Sequence, residues 1–135
     1  MTLPLGLTIQ IDENYLLFFE TQLDDLFWED ETIDNILELT FEMVKDSLQA
    51  RGYDLTLIPT DQSTKLKRVH SYKTMEHLHN RAIKESGDRH DVLSAKYKDL
   101  FLTTIDQIRL DVDIDESGVI EEDEENVRKG WTLSR

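Results

Sequence analysis

The stretch TIDNILELTFEMVKDSLQARG, residues 32–52, decides the fold class of this chain. Its apolar residues recur every three or four positions, so they share one face of a helix. They are Ile33, Leu37, Phe41, Val44 and Leu48. Thr32 is a good N-terminal cap, and Gly52 suits the left-handed residue that often follows a helix. The stretch therefore predicts an amphipathic helix with both of its ends marked.

Two later segments repeat this spacing. A helix is expected to begin after Asp61 or Ser63 and to end at Gly87, and another is expected to begin near Asp91. The apolar face of the first is Leu66, Val69, Tyr72, Met75, Leu78 and Ala82, and that of the second is Leu93, Tyr97, Leu100, Phe101, Thr104, Ile105 and Ile108. The apolar residues between 12 and 28 also fit a helix face. The pattern predicts a mainly α fold, a small antiparallel bundle of three to four helices.

The segments around these helices favour extended structure. Residues 1–11 and 53–59 predict extended chain, because alternation or a proline disfavours helix there. After the last helix, apolar and polar residues alternate as in a strand, at Ile108, Leu110, Val112 and Ile114. A Ser-Gly turn signal follows at 117–118. The chain is therefore divided into a helical core domain with an extended N-terminal segment, residues 1–110, and an extended acidic arm or hairpin, residues 111–135.

Charge and composition limit what the chain can do. It has 135 residues, 29 acidic against 15 basic side chains, a net charge of −14 and no cysteine. Thiolate metal sites and cysteine nucleophiles are thereby excluded. An acidic surface repels phosphate backbones and anionic membranes, and no apolar run approaches the roughly 20 residues that span a bilayer. Residues 1–5 lack the basic start of a signal peptide, so a soluble protein made in the cytoplasm is expected.

Enzyme motifs are missing from the sequence. Its five glycines are isolated, which leaves no glycine-rich phosphate loop, and neither a G-x-S-x-G nor an H-E-x-x-H motif occurs. The four histidines, at positions 70, 77, 79 and 90, lack the spacing of a metal pair and are interpreted as ordinary surface or helix-flank residues. The acidic clusters at 24–25 and 29–31 are interpreted as solvated loops. The sequence therefore predicts a protein without enzymatic activity.

One acidic stretch, residues 113–124, has the spacing of a calcium-binding loop. Side-chain oxygens fall at its first, third, fifth, ninth and twelfth positions, with glycine at the sixth and a backbone carbonyl at the seventh. The corresponding ligands are Asp113, Asp115, Ser117, Val119, Glu121 and Glu124. The strand-like alternation before the loop argues against the entering helix of an EF-hand. An acidic hairpin or arm is therefore favoured, and no cofactor is expected, with Ca²⁺ as the alternative.

The last eight residues, RKGWTLSR at 128–135, are here called the terminal octad. They follow an acidic tract, since residues 111–126 contain nine acidic side chains and no basic one. Tryptophan and arginine are common interface anchors, and an extended octad would place Trp131 and Leu133 on one face. The octad predicts a partner-docking arm, carried by Arg128, Lys129, Trp131, Leu133 and Arg135. The alternative is that Trp131 folds back onto the chain's own bundle.

The organisation of the chain resembles that of the head–tail connector, or adaptor, proteins of tailed bacteriophages. The segment from Thr32 to Leu57, with Arg51-Gly52-Tyr53, looks like the family's first core helix and its exit. The segment from Leu66-Lys67-Arg68-Val69 through Leu78 looks like the central buried helix, and that from Tyr97-Lys98-Asp99-Leu100 through Ile108 like the last core helix. The end at Gly130–Arg135 resembles the family's extended terminus.

The resemblance implies a structural protein of the virion neck. Such proteins form a dodecameric ring between the portal protein and the stopper or tail-completion protein, and their C-terminal arm reaches a neighbouring protein. DNA passes through the ring without specific binding, which an acidic wall would favour. Two other functions stay open: a small acidic calcium-binding helical protein with the loop 113–124, and an acidic regulator or DNA mimic that inhibits a nucleic-acid-binding partner.

Overall fold

The computed structural model describes residues 5–21, 23–28 and 30–112. Within these ranges four α-helices follow one another: α1 (Glu13–Leu16), α2 (Ile33–Ala50), α3 (Lys67–Ala82) and α4 (Arg89–Gln107). Short 3₁₀ turns occupy Leu23–Leu26, Leu55–Leu57 and Thr60–Leu66. Helix α3 is central, because it packs along α4 and also against α2. The prediction of a mainly α helical bundle is confirmed, and the described residues contain no strand beyond an isolated bridge between Leu5 and Pro59.

The ends of α2 and α4 follow from their capping residues. The Thr32 hydroxyl accepts a hydrogen bond from the Asn35 amide at 3.3 Å, and the Asp88 carboxylate accepts one from the Asp91 amide at 2.8 Å. Gly52 follows α2 with a φ of 96°, a left-handed conformation that disfavours any side chain. The predicted boundaries of α2 and the predicted start of α4 are therefore confirmed.

The predicted cap of α3 is wrong. This helix continues directly from the 3₁₀ turn Thr60–Leu66, and its first residue is preceded by Leu66, which offers no side-chain cap. The Ser63 hydroxyl is buried and accepts a hydrogen bond from the Thr8 amide at 2.9 Å, so it fixes the N-terminal segment instead. Helix α3 ends at Ala82, well before Gly87.

The single helix expected over residues 12–28 is also wrong. This region, residues 12–31, is here called the cover segment, and the helical elements of its described residues are the one-turn α1 and the turn Leu23–Leu26. Four consecutive apolar residues, 16–19, cannot share one helix face. Leu16 is fully buried, whereas Phe18 is 87% exposed. The chain therefore breaks its helix so that Leu16, Leu23 and Leu26 all reach the interior.

Two other expectations for irregular segments need correction. Residues 53–59 are not simply extended, because Leu55–Leu57 form a 3₁₀ turn in which the Asp54 side chain accepts from the Thr56 amide. Residues 108–112 have left the helix but form no described strand. The rest of the predicted arm or hairpin, residues 113–135, lies outside the described residues.

The interior divides into two clusters, one at the N-terminal end of α3 and the other along its C-terminal half. The arm-side core, named for the end of the described chain, comprises Phe41, Val44, Leu48, Tyr53, Ile58, Leu66, Val69, Phe101, Ile105, Leu110 and Val112. The cover-side core, which the cover segment closes, comprises Ile11, Leu16, Leu23, Leu26, Ile36, Leu37, Met75, Leu78 and Tyr97. Because Leu110 and Val112 are buried, the packed interior extends at least to residue 112.

Candidate functional site

Both sites predicted from the sequence lie outside the described residues. The calcium loop, residues 113–124, and the docking arm of the terminal octad both belong to residues 113–135. The predicted ligands and docking residues therefore stay predictions. Candidate sites on the described part of the chain are found on the cover segment, in a buried histidine cluster and along the outer face of α2.

The cover segment is fixed to α3 by an arginine. The Arg81 guanidinium donates to both Glu31 carboxylate oxygens, one of them at 2.7 Å, and to the Leu26 carbonyl at 3.1 Å. The Arg81 hydrogen bonds lower the pKa of the Glu31 carboxyl, which stays ionised. The interpretation of Glu31 as a solvated loop residue is wrong, because it bridges the cover segment to α3.

Two aromatic side chains of this segment project into solvent. Phe18 is 87% exposed and Trp28 is 63% exposed. The Arg81 guanidinium lies 4.3 Å from the centre of the Trp28 ring, so the same arginine that pairs with Glu31 also supports the indole. Neighbouring Phe19 turns inward and meets Tyr72 and Tyr97 edge-on at 5.8 and 6.3 Å. Phe18 and Trp28 are thus exposed on a segment that is held in place by its neighbours.

A second anchor of the cover segment leads to a histidine cluster. The Glu20 carboxylate is 6% exposed, accepts from the Arg89 guanidinium at 2.7 Å, and lies 3.5 Å from Nε2 of His79. The Nδ1 atoms of His79 and His90 are 3.0 Å apart, so one of them donates to the other. The His79 ring stacks on Tyr97 with an interplanar angle of 6°.

Burial controls the protonation of this cluster. It lowers the pKa of His79 to about 4, although the Glu20 carboxylate acts in the opposite direction. His79 is therefore neutral at pH 7, and Glu20 takes its positive partner from Arg89. Protonating His79 would place a cation in a site with no solvent exposure, next to His90. The arrangement can respond to acid, but its central ring is closed to a substrate.

A separate polar network lies between α2 and α3. The Thr40 hydroxyl is within 3.0 Å of His70 Nε2 and 2.9 Å of the Thr74 hydroxyl. His70 Nε2 is also 3.0 Å from the Leu37 carbonyl. Burial lowers the pKa of His70 to about 4. These groups link two helices through hydrogen bonds inside the interior.

The interpretation of the histidines as ordinary surface residues is wrong for His70 and His79, which are both fully buried. The predicted face of α3 is a single stripe, but α3 packs against two helices and its buried surface is wider. His70 and His79 each follow a residue of the predicted stripe, Val69 and Leu78. That adjacency is the signal from which their burial could have been found.

Metal binding by the described histidines and acids has no geometric support. Within residues 5–21, 23–28 and 30–112, no three such side chains converge as a metal-binding group would require.

A shallow groove runs between the outer face of α2 and the N-terminal segment. It consists of two hollows of about 430 and 340 Å³, and Glu42 lines both. Acidic residues Glu38, Glu42 and Asp46 follow the helix side, and apolar Leu7 and Ile9 lie on the opposite side. The basic lining residue Lys45 is paired with Glu42 at 2.7 Å. We call this feature the α2 groove. Leu7 and Ile9 form what we call its apolar floor, and its helix side is negatively charged.

Comparisons with known proteins do not assign the chain to a family. No protein-family model matches the chain, and neither a curated protein nor a solved structure is significantly similar to it. None of the helices in the described ranges is both long enough and apolar enough to cross a membrane.

Proposed function

We propose that this chain is a structural assembly protein of a tailed-phage virion, a head–tail connector that forms a ring between the portal and the stopper or tail-completion protein. The observation that carries the assembly role is the 87% exposure of Phe18 on a segment held by buried leucines and two ion pairs. A large aromatic side chain fixed in water loses hydrophobic stabilisation that a partner surface would restore. Such a feature is typical of an interface rather than of a substrate site.

The narrower assignment to the virion neck is supported by the resemblance in sequence pattern and by charge. Three long helices account for the segments that look like the core helices of the connector family. With a net charge of −14, a dodecameric ring of these chains would present an acidic wall to DNA passing through it. The protein would act without catalysis or cofactor, in the neck of the particle, after synthesis in the host cytoplasm.

The test is co-expression of the full chain with the portal protein encoded in the same genome, followed by affinity capture and electron microscopy. We expect a stable complex in which this chain forms a ring on the portal. We also expect Phe18→Ser and Trp28→Ser to weaken assembly, because each removes an exposed aromatic side chain while leaving the buried anchors Leu16, Leu23 and Leu26 in place.

Leu102→Ser is the matched control. Leu102 is also an exposed apolar residue, at 39%, but it lies on α4 and outside the cover segment. Equal loss of assembly in Leu102→Ser and Phe18→Ser would show that the cover segment has no special role. A folded chain that binds neither the portal nor the stopper would overturn the connector function itself.

A further inference from the structure

The α2 groove is complementary to the end of the same chain. Its helix side is acidic along two turns, through Glu38, Glu42 and Asp46, and all three side chains are exposed. The terminal octad contains three basic residues in eight positions, although the whole chain has only 15 in 135. Opposite charges on two surfaces steer their encounter and fix their register. This basic segment of an acidic protein thus has a described acidic surface to bind.

The apolar residues of the α2 groove and those of the terminal octad also have the same spacing along the chain. Leu7 and Ile9 are two residues apart, and each lines one hollow of the groove, opposite α2. Trp131 and Leu133 are likewise two residues apart, which in extended chain places both side chains on one face about 7 Å from each other. The larger hollow, of about 430 Å³, also contains exposed Leu39 and is the more suitable for an indole.

The described chain ends close enough to this groove for the octad to reach it. Val112 is buried in the arm-side core, and Leu55, which packs against that core, lines the second hollow. Fifteen residues lie between Val112 and Arg128, and extended chain spans roughly 3.3 Å per residue, so the tether reaches about 50 Å. Helix α2, with 18 residues at about 1.5 Å each, is only about 27 Å long.

We propose that the terminal octad docks in the α2 groove of its own chain, with Trp131 and Leu133 on the apolar floor and its basic residues along the acidic face of α2. A tethered segment is present at an effective concentration near the millimolar range, which favours its own groove over that of a second copy at micromolar concentration. This inference does not depend on the connector function. A partner that binds the octad must then displace it from the groove.

The test is nuclear magnetic resonance of the full, isotope-labelled chain. Its two indole N–H signals, from Trp28 and Trp131, are assigned with a Trp28→Phe variant. We expect nuclear Overhauser effects between the Trp131 ring and the methyl groups of Leu39, Leu7 or Ile9. In Glu38→Lys/Glu42→Lys these effects should be lost, and the Trp131 indole signal should shift to its position in a free octad peptide.

Glu85→Lys/Asp99→Lys is the matched control, since it makes the same change of charge at two exposed acids outside the groove. We expect it to keep the effects and the indole position of the wild type. Effects from Trp131 to any other surface, or an indole signal already at the free-peptide position in the wild type, would overturn the proposal. So would effects that appear only between labelled and unlabelled copies, because they would assign the groove to a second chain.

Discussion

The two cores of this bundle are built from different chemistry, although α3 runs through both. The arm-side core is closed by apolar side chains, and the Tyr53 hydroxyl within it bonds to the backbone of the departing chain, donating to the Ile108 carbonyl and accepting from the Leu110 amide. The cover-side core is bordered by ionisable groups, namely Glu20, Glu31, His79, Arg81, Arg89 and His90. The arm-side end has an ion pair, Arg51–Asp106, whose carboxylate is exposed, whereas the cover-side end has the buried Glu20 carboxylate paired with Arg89. One end is therefore held mainly by burial of apolar groups and the other also by buried charge.

Because of this difference, the stability of the two cores should depend differently on pH. Burial of apolar surface does not change with proton concentration, so the apolar contacts of the arm-side core should not respond to mild acid. A titrating group that contacts this core is buried His70, whose ring lies 5.0 Å from that of Phe41. The cover-side core contains His79, which is buried and neutral, beside an ionised Glu20–Arg89 pair. Its stability should depend on keeping these protonation states. The exposed aromatic residues of the cover segment therefore lie at the end of the bundle whose stability depends on pH.

The largest effect is expected from a cavity in the arm-side core. Phe41→Ala should lower the free energy of unfolding by about 3–5 kcal/mol, because Phe41 is almost fully buried among apolar neighbours. Leu100→Ala, at a half-buried position against the cover-side core, should cost less, about 1–2 kcal/mol. Urea unfolding followed by circular dichroism measures both. Equal losses would remove the proposed contrast, and a loss at Phe41 below about 0.5 kcal/mol would mean that it faces outward.

The next effect is a loss of stability in mild acid. His70 and His79 have pKa values of about 4 in the folded chain, against about 6.5 when unfolded. Between these values the unfolded chain binds protons that the folded chain does not. The contribution of these two histidines to stability should therefore be constant above pH 7 and fall as pH drops from about 6.5 to about 4, with a loss on the order of 1–3 kcal/mol per histidine.

Glutamine variants test the origin of that pH dependence. His70→Gln/His79→Gln removes both titrating rings and keeps side-chain hydrogen-bonding groups, so its stability should change less with pH between 6.5 and 4. Asp88 provides an internal reference, because backbone hydrogen bonds, chiefly from the Lys84 and Asp91 amides, lower its pKa to about 2, and its contribution is lost only in stronger acid. An unchanged slope in the double variant would assign the acid sensitivity to other groups.

The contrast between the cores also explains what the sequence could predict. The residues of α2 follow one helical period with a capping threonine, so its boundaries are local properties of the sequence. The arrangement of Glu20, His79 and His90 depends on three separate elements meeting in space, which no local pattern encodes. The cover segment was mispredicted for the same reason, since the burial of Leu16, Leu23 and Leu26 reflects tertiary packing that overrides helix propensity.

A smaller effect on stability is expected from removing the end of the chain. Truncation after Asn126 leaves both described cores intact, so the helix signal should persist and the free energy of unfolding should change by less than about 1 kcal/mol. The same truncation should abolish capture by the portal or a neighbouring subunit, and Trp131→Ala should account for much of that loss. Unfolding of the truncated chain would make the terminus part of the core. Unimpaired assembly would refute the docking role.

The smallest effect is expected from calcium, which tests whether residues beyond both cores add a third source of stability. Helix α4 ends at Gln107, and Ile108 at its C-terminal cap already has extended dihedrals. Leu110 and Val112 are then buried in the arm-side core, so non-helical chain leads up to Asp113. An EF-hand loop instead continues from an entering helix that orients its first ligand. We therefore expect millimolar Ca²⁺ to leave the melting temperature unchanged.

The experiment can detect binding if it occurs. A ligand present at a hundred times its dissociation constant stabilises a fold by about 2.7 kcal/mol, which raises the melting temperature of a small domain by several degrees. Mg²⁺ at the same concentration controls for general screening of the 29 acidic side chains. Glu124→Gln removes the closing bidentate ligand of the predicted loop. A rise specific to Ca²⁺ that this variant abolishes would establish the site despite the missing helix, and would place the acidic tract, rather than either core, at the centre of the protein's function.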